Sequence, residues 1–145
     1  MQINRNIVPH QEIDNILFIL SQCHPEAFVS SQNNENLCDE MQYLRWFPLN
    51  YVEVFGECID FILLSTKGGD NVYAGCDWHI DGDEKETTVL LYLQGDSNKG
   101  GEFCTETETV KFQSGTMLVL PSKDLHKVNN YYGEENRIAL KWKFR

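Results

Sequence analysis

His79-Ile80-Asp81, followed 47 positions after the first histidine by His126, brings two imidazoles and one carboxylate into the second half of a 145-residue chain. Such a donor set can hold ferrous iron on one face and leave other coordination positions open. His79 and Asp81 stand two apart, so in extended backbone both side chains project from the same face. The interval to His126 has room for roughly four short strands, and a sandwich can return the third donor opposite the first two. Arg137 serves another purpose, because its guanidinium can clamp a carboxylate through two parallel hydrogen bonds in a way a lysine cannot. On a strand through Arg137, alternation puts Lys141 and Lys143 on the arginine's face and Trp142 on the opposite one. Tyr131 and Tyr132, in a loop beside His126, are candidate gatekeepers of a substrate pocket together with those two lysines. Asp83 reads as a turn residue after Gly82, and His10 and His24, far from the cluster, are not assigned to metal.

The elements that must position these groups are mostly short strands. From Pro9 to about Leu20 the apolar Ile13, Ile16, Leu17 and Leu20 recur at helical spacing, and Pro9 suits a helix start. Ser21 to Asn36 is polar and reads as a loop, with a short helical piece around Glu26 to Val29. Leu37 to Trp46 fits a helix or an extended segment equally well. After Pro48 come runs rich in β-branched and aromatic residues, and they predict strands at Tyr51–Phe55, Ile59–Ser65, Val72–Trp78, Thr87–Leu93, Glu102–Thr105, Thr109–Phe112, Thr116–Leu120, His126–Asn130 and Arg137–Phe144. Turn chemistry separates them at Lys67-Gly68-Gly69-Asp70, Asp81-Gly82-Asp83, Gly95 to Gly101, Ser114-Gly115 and Gly133. The expected fold is mainly β, a jelly roll with N-terminal supporting helices, rather than alternating βαβ units. We expect one domain over residues 1–145, with 1–58 as helical and strand support and 59–145 as the catalytic core.

Composition narrows the classes further. Hydrophobic residues make up 41% and charged residues 23% of the chain, as in ordinary globular proteins. A formal net charge of -10 disfavours a nucleic-acid backbone as a partner, although Lys141, Lys143 and Arg145 form a local basic row. The five cysteines, Cys23, Cys38, Cys58, Cys76 and Cys104, include no CxxC pair, so free thiols are expected. No signal-peptide core or membrane span is evident, and the expectation is a cytoplasmic or nuclear protein without membrane contact. No GxGxxG or P-loop supports nucleotide binding, and the Ser and Cys residues form no convincing nucleophile triad.

The ordered segments WHIDGD, TTVLLYLQGD, GGEF, VKFQSGTMLVLPSKDLHKV and NRIALKW, spanning His79 to Phe144, resemble the Fe(II)/2-oxoglutarate-dependent dioxygenases, in particular their prolyl-hydroxylase-like branch. The resemblance implies a double-stranded β-helix of the cupin-like type. It implies iron ligation by His79, Asp81 and His126, and 2-oxoglutarate held by Arg137 with help from Tyr92. Gly100-Gly101 looks like the family's glycine pair before a strand near the active site. One departure is local: close prolyl hydroxylases carry a tryptophan six positions after the co-substrate-binding basic residue, whereas Trp142 follows Arg137 by five.

What the resemblance implies chemically is hydroxylation of a prolyl or other side chain in a protein or peptide, with O₂ as co-substrate and succinate and CO₂ released. Ascorbate would serve as reductant, and no protein nucleophile or general base beyond the metal site is called for. Two alternatives stand beside it: oxidation of a nucleic acid or small anion, and a catalytically silent jelly roll used as an interaction surface. A generic cupin-like metal protein follows if Arg137 does not face the pocket.

Overall fold

A computed structural model of the chain describes residues 1–29, 32–66 and 75–145. Among the described residues there are twelve strands, β1 (Gln2–Asn4), β2 (Gln32–Asn36), β3 (Cys58–Thr66), β4 (Cys76–His79), β5 (Thr87–Gln94), β6 (Lys99–Gly100), β7 (Phe103–Thr105), β8 (Thr109–Val110), β9 (Met117–Pro121), β10 (His126–Val128), β11 (Tyr131–Tyr132) and β12 (Arg137–Phe144). One helix, α1 (His10–Cys23), and two 3₁₀ segments, Pro25–Phe28 and Asp39–Asn50, precede β3. The strands form a six-stranded sheet in the order β1-β9-β5-β12-β3-β2, a four-stranded sheet in the order β4-β10-β7-β8, and a small β11-β6 pair. All of the pairings are antiparallel. This is the jelly-roll, double-stranded β-helix arrangement expected of the sequence.

Alternation along the two central strands makes the large sheet two-faced. Val89, Leu91 and Leu93 of β5 and Ile138, Leu140, Trp142 and Phe144 of β12 enter one core with Ile13, Ile16 and Leu20 of α1 and Met41 and Leu44 of the second 3₁₀ segment. Leu90, Tyr92 and Ala139 point the other way, into a second core with Phe103, Val110, Phe112, Leu118 and Leu120. Trp142 is the anchor on the helical side. It is fully buried, stacks on Phe61 at a centroid distance of 5.0 Å, and donates its indole N–H to the Leu44 carbonyl at 3.0 Å. The alternation thus turns Trp142 away from Arg137, as strand parity predicts, and the departure from the prolyl-hydroxylase pattern stands: Trp142 supports the sheet from behind.

Several expectations change. Tyr51–Phe55 is not a strand. Tyr51 and Val52 instead donate their backbone N–H groups to Pro48 at 3.0 and 2.9 Å, closing the 3₁₀ segment, while the Tyr51 hydroxyl bonds Glu12 and Phe55 is exposed. Local bonding to the preceding turn overrides β propensity there. Pro9 is the residue before α1 rather than its first, and the helix runs on to Cys23. Leu37–Trp46 resolves largely into 3₁₀ turns. The polar strands β1 and β2 were not expected; they pair with the edges of β9 and β3. The Lys67-Gly68-Gly69-Asp70 turn and the first part of Val72–Trp78 lie outside the described residues.

Replacing Trp142 with alanine removes the stacked ring and the indole donor together, and such core truncations cost about 3–5 kcal/mol. The urea midpoint of Trp142→Ala should fall accordingly, with Trp142→Phe falling by less, as read by equilibrium denaturation followed by circular dichroism.

Candidate metal centre and co-substrate cavity

The three candidate ligands come from facing ends of the small sheet. β4 and β10 run antiparallel with His126 opposite His79, which sets the two imidazole rings at a centroid distance of 4.3 Å. Asp81 sits just beyond β4 in a turn pinned from two sides. Its N–H and that of Gly82 donate to the Ser122 carbonyl at 2.9 and 3.0 Å, and its own carbonyl accepts the Lys143 ammonium at 2.6 Å. Asp83 takes the turn role expected of it, accepting the Lys85 N–H at 2.8 Å.

The donor atoms converge. Asp81 Oδ1 lies 3.6 Å from His79 Nε2, and Oδ2 lies 3.3 Å from His126 Nε2, with one donor atom from each of the three residues falling within 4.8 Å of the others. Ligands at right angles on an ion, with bonds of about 2.1 Å, stand about 3 Å apart, so small side-chain adjustments suffice to close the set on one ion. Both histidines are oriented by the same device. His79 Nδ1 bonds the Asp77 carbonyl at 2.7 Å, and His126 Nδ1 bonds the Asp124 carbonyl at 2.9 Å. Because a carbonyl only accepts, each Nδ1 carries the hydrogen, and each Nε2 presents its lone pair to the site. Phe103 stacks on the His126 ring at 5.0 Å and holds it from behind.

Electrostatics prepare the carboxylate. Burial alone would raise the Asp81 carboxyl, but the His126 hydrogen bond and the Lys141 charge outweigh it and hold the group well below the usual carboxylate range. Lys141 Nζ is 3.0 Å from Asp81 Oδ1. Burial likewise pushes the His126 imidazole down, yet its hydrogen bond to Asp81 prevails and the metal-free ring titrates above its ordinary value.

From these ligands a cavity of about 90 Å³ runs between the sheets toward Arg137, lined also by Leu64, Leu90, Tyr92, Phe103 and Lys141. Arg137 is held by rings, its guanidinium carbon 4.9 Å from the Phe112 centroid and 5.5 Å from that of Tyr92. A 3.4 Å contact from its Nη2 to the Gly101 carbonyl adds little. Among the described residues, Arg137 Nε and the Tyr92 hydroxyl are buried with no hydrogen-bond partner. Burying polar groups unpaired costs free energy, and a carboxylate placed between them would satisfy both. Burial raises the Tyr92 phenol, with the nearby Arg137 charge acting against it, so the hydroxyl is a donor at neutral pH. A dicarboxylate co-substrate therefore fits here, just as the N₂O donor set fits ferrous iron.

The remaining expected site residues fall elsewhere. Lys143 reaches Asp81's backbone and Glu86 Oε2 (3.4 Å) but does not line the cavity. Tyr131 is buried, with its hydroxyl donating to the Thr66 carbonyl at 2.6 Å; Tyr132 is exposed. Neither tyrosine lines the cavity. Tyr131 instead packs the small β11-β6 pair, where Gly100 has φ +79° and a Cβ would strike the Asn130 carbonyl. Sequence reasoning missed Phe103 and Phe112; the GGEF segment carried a signal for the first, while nothing local distinguishes the second.

No protein-family model and no curated protein sequence matches this chain. Solved structures do. A prolyl-4-hydroxylase from Pseudomonas putida matches at a TM-score of 0.64 and 15% identity, over 99% of this chain and 91% of that one. HygX from Streptomyces hygroscopicus, solved with nickel, 2-oxoglutarate and hygromycin B bound, gives 0.68 and 12% over 98% and 81%. The α-ketoglutarate-dependent epimerase SnoN from nogalamycin biosynthesis gives 0.71 and 10% over 99% and 76%. The chain has the fold of the Fe(II)/2-oxoglutarate oxygenases and carries a His-Asp-His facial triad within it. Named partners of such different kinds leave the substrate outside what the fold decides.

Metal binding must displace the proton that Asp81 helps His126 to retain. In the metal-free protein a raised His126 contributes stability below its unfolded value, and this is lost as pH rises through the folded one; metal binding gains over the same window. Asp81 stays ionised across that range. Stabilisation by Co(II) should therefore grow as pH rises from below to above about 6.5, the ordinary imidazole value, with proton release on binding. Thermal melts with and without metal, and calorimetry in buffers of different ionisation enthalpy, measure both.

Proposed function

We propose that this chain is an Fe(II)- and 2-oxoglutarate-dependent hydroxylase acting on a side chain of a protein or peptide, with proline the preferred residue. The observation that carries the reading is a single cavity with the His79, Asp81 and His126 donors at one part and the unpartnered Arg137 Nε and Tyr92 hydroxyl at another. Iron and 2-oxoglutarate, when bound, would supply the oxidation, inserting one atom of O₂ into a substrate C–H bond as succinate and CO₂ form. The chain's own contribution is positioning. His79 and His126 present Nε2, Asp81 presents a carboxylate oxygen, and Arg137 with Tyr92 grips the distal carboxylate of the diacid. Leu64, Leu90 and Phe103 give the space between an apolar wall.

The prolyl-4-hydroxylase match motivates the choice of a prolyl side chain, while the fold by itself leaves the substrate open. Support for an anionic or nucleic-acid substrate weakens, because the basic row is paired: Lys141 with Asp81, Lys143 with Glu86 and Arg145 with Asp83. A silent interaction module would have no use for oriented histidines or for an arginine Nε buried without a hydrogen-bond partner.

Purified protein with Fe(II), 2-oxoglutarate and ascorbate should form succinate in an oxygen-dependent manner, even without substrate. His79→Ala should abolish this, and Arg137→Lys should raise the 2-oxoglutarate KM at least tenfold. Absence of both metal and 2-oxoglutarate binding in folded protein would refute the reading. Candidate peptides are then screened for a gain of one oxygen by mass spectrometry.

Lys141 allows a sharper measurement. Its ammonium lies 3.0 Å from Asp81 Oδ1, so it would share that carboxylate with a bound metal, repelling the cation while favouring a dianion nearby. Lys141→Met should tighten Mn(II) binding several-fold and weaken 2-oxoglutarate binding, with Lys141→Arg restoring both. A merely structural lysine would weaken the two together, and titration calorimetry separates the cases.

A further inference from the structure

Behind the large sheet, on the face away from the cavity, a second set of donors comes together. Cys23 ends α1, Cys38 immediately precedes the second 3₁₀ segment, and Glu40 lies in that segment's first turn. Their two sulfur atoms and a carboxylate oxygen lie within 4.8 Å of one another. Both cysteines are free and pack at the margin of the helical core, whereas the cavity residues Leu90, Tyr92, Phe103 and Ala139 belong to the other core. We propose that Cys23, Cys38 and Glu40 form a second metal site, for a thiophilic four-coordinate cation of the Zn(II) type, that clamps the end of α1 to the start of the 3₁₀ segment.

The dimensions suit that ion. With metal–sulfur bonds of about 2.3 Å and metal–oxygen bonds of about 2.0 Å, tetrahedral ligands stand roughly 3.5–3.8 Å apart, so the cluster closes with shifts of about 1 Å or less. The fourth position goes to water. Two thiolates select Zn(II) or Cd(II) over the harder Fe(II), which prefers the nitrogen and oxygen donors of the triad. The two sites thus sort metals by donor type.

The surroundings call for a cation. A helix C-terminus carries partial negative charge, and the last turn of α1 has no basic residue. Among the described residues none of the ion pairs involves Glu40. His24 braces the arrangement: its Nε2 accepts the Cys38 N–H at 3.2 Å and its Nδ1 faces Glu35 at 3.4 Å. The backbone carrying Cys38 is thereby fixed beside the helix end that carries Cys23.

The test uses the full chain with the triad disabled by His79→Ala and His126→Ala, kept reduced and titrated with Co(II). One equivalent should bind with near-ultraviolet thiolate-to-metal absorption and the intense visible bands of a tetrahedral ion, and Zn(II) should displace it and raise the Tm. Adding Glu40→Gln, a surface change that leaves the core intact, should lower the affinity at least tenfold, and Cys38→Ser should remove the absorption. Failure of the reduced protein to show thiolate bands, or their persistence in folded Cys38→Ser protein, overturns the site whatever the outcome for the oxygenase reading.

Discussion

The register of β12 is the constraint on which the rest depends. It is hydrogen-bonded on both flanks, to β3 and to β5, and its two faces serve opposite ends. Ile138, Leu140, Trp142 and Phe144 are fully buried beneath the helices, while Arg137, Ala139 and Lys141 line the cavity. A slip of one residue would exchange the sets, driving charges into the helical core and the indole into the cavity. Neither outcome is tolerable, since buried unpaired charge is among the costliest errors a core can contain. The stacking of Trp142 on Phe61 and its hydrogen bond to the Leu44 carbonyl therefore also fix where Arg137 stands.

A similar economy governs the metal end. Asp81 lies outside any strand, yet its backbone is tied to Ser122 and Lys143 and its side chain to His126 and Lys141. These ties come from three separate parts of the chain, β10, β12 and the Pro121–Asp124 turn. Ligand geometry is thus set by the sheets rather than by the flexibility of a loop. The carbonyl hydrogen bonds at Nδ1 of both histidines complete the preparation, because a fixed tautomer spares the ring a rearrangement when metal arrives.

Legibility in the sequence followed the range of the responsible interactions. The triad could be read from the HxD motif in company with His126, although Asp81 lies in the turn beyond β4 rather than on the strand, and β3, β5, β9 and β12 could be read because each holds an apolar run bounded by turn signals. By contrast β2, written QNNEN, has no apolar alternation; it is a strand because the open edge of β3 supplies partners for its backbone. Tyr51–Phe55 failed for the opposite reason, a good β sequence captured by the preceding 3₁₀ turns. Phe112 at Arg137 and the meeting of Cys23 with Cys38 are products of tertiary folding, and no spacing rule reports them.

The sign of charge inside this protein runs against the sign outside. A chain of net charge -10 turns Arg137 and Lys141 inward onto one small cavity and pairs Lys143 and Arg145 with its own acidic residues. Exposed carboxylates are screened by water and salt within about 8–10 Å, but the two cations facing the cavity act across a small space walled in part by the apolar side chains of Leu64, Leu90 and Phe103. For a dianion the interior is thus the attractive region of an otherwise repulsive molecule. Lys141 makes that attraction conditional: while the site is empty it neutralises Asp81, and a divalent ion arriving there weakens its hold on the carboxylate. On the reading proposed above, a metal bound before the diacid would let the diacid meet a cation at each end.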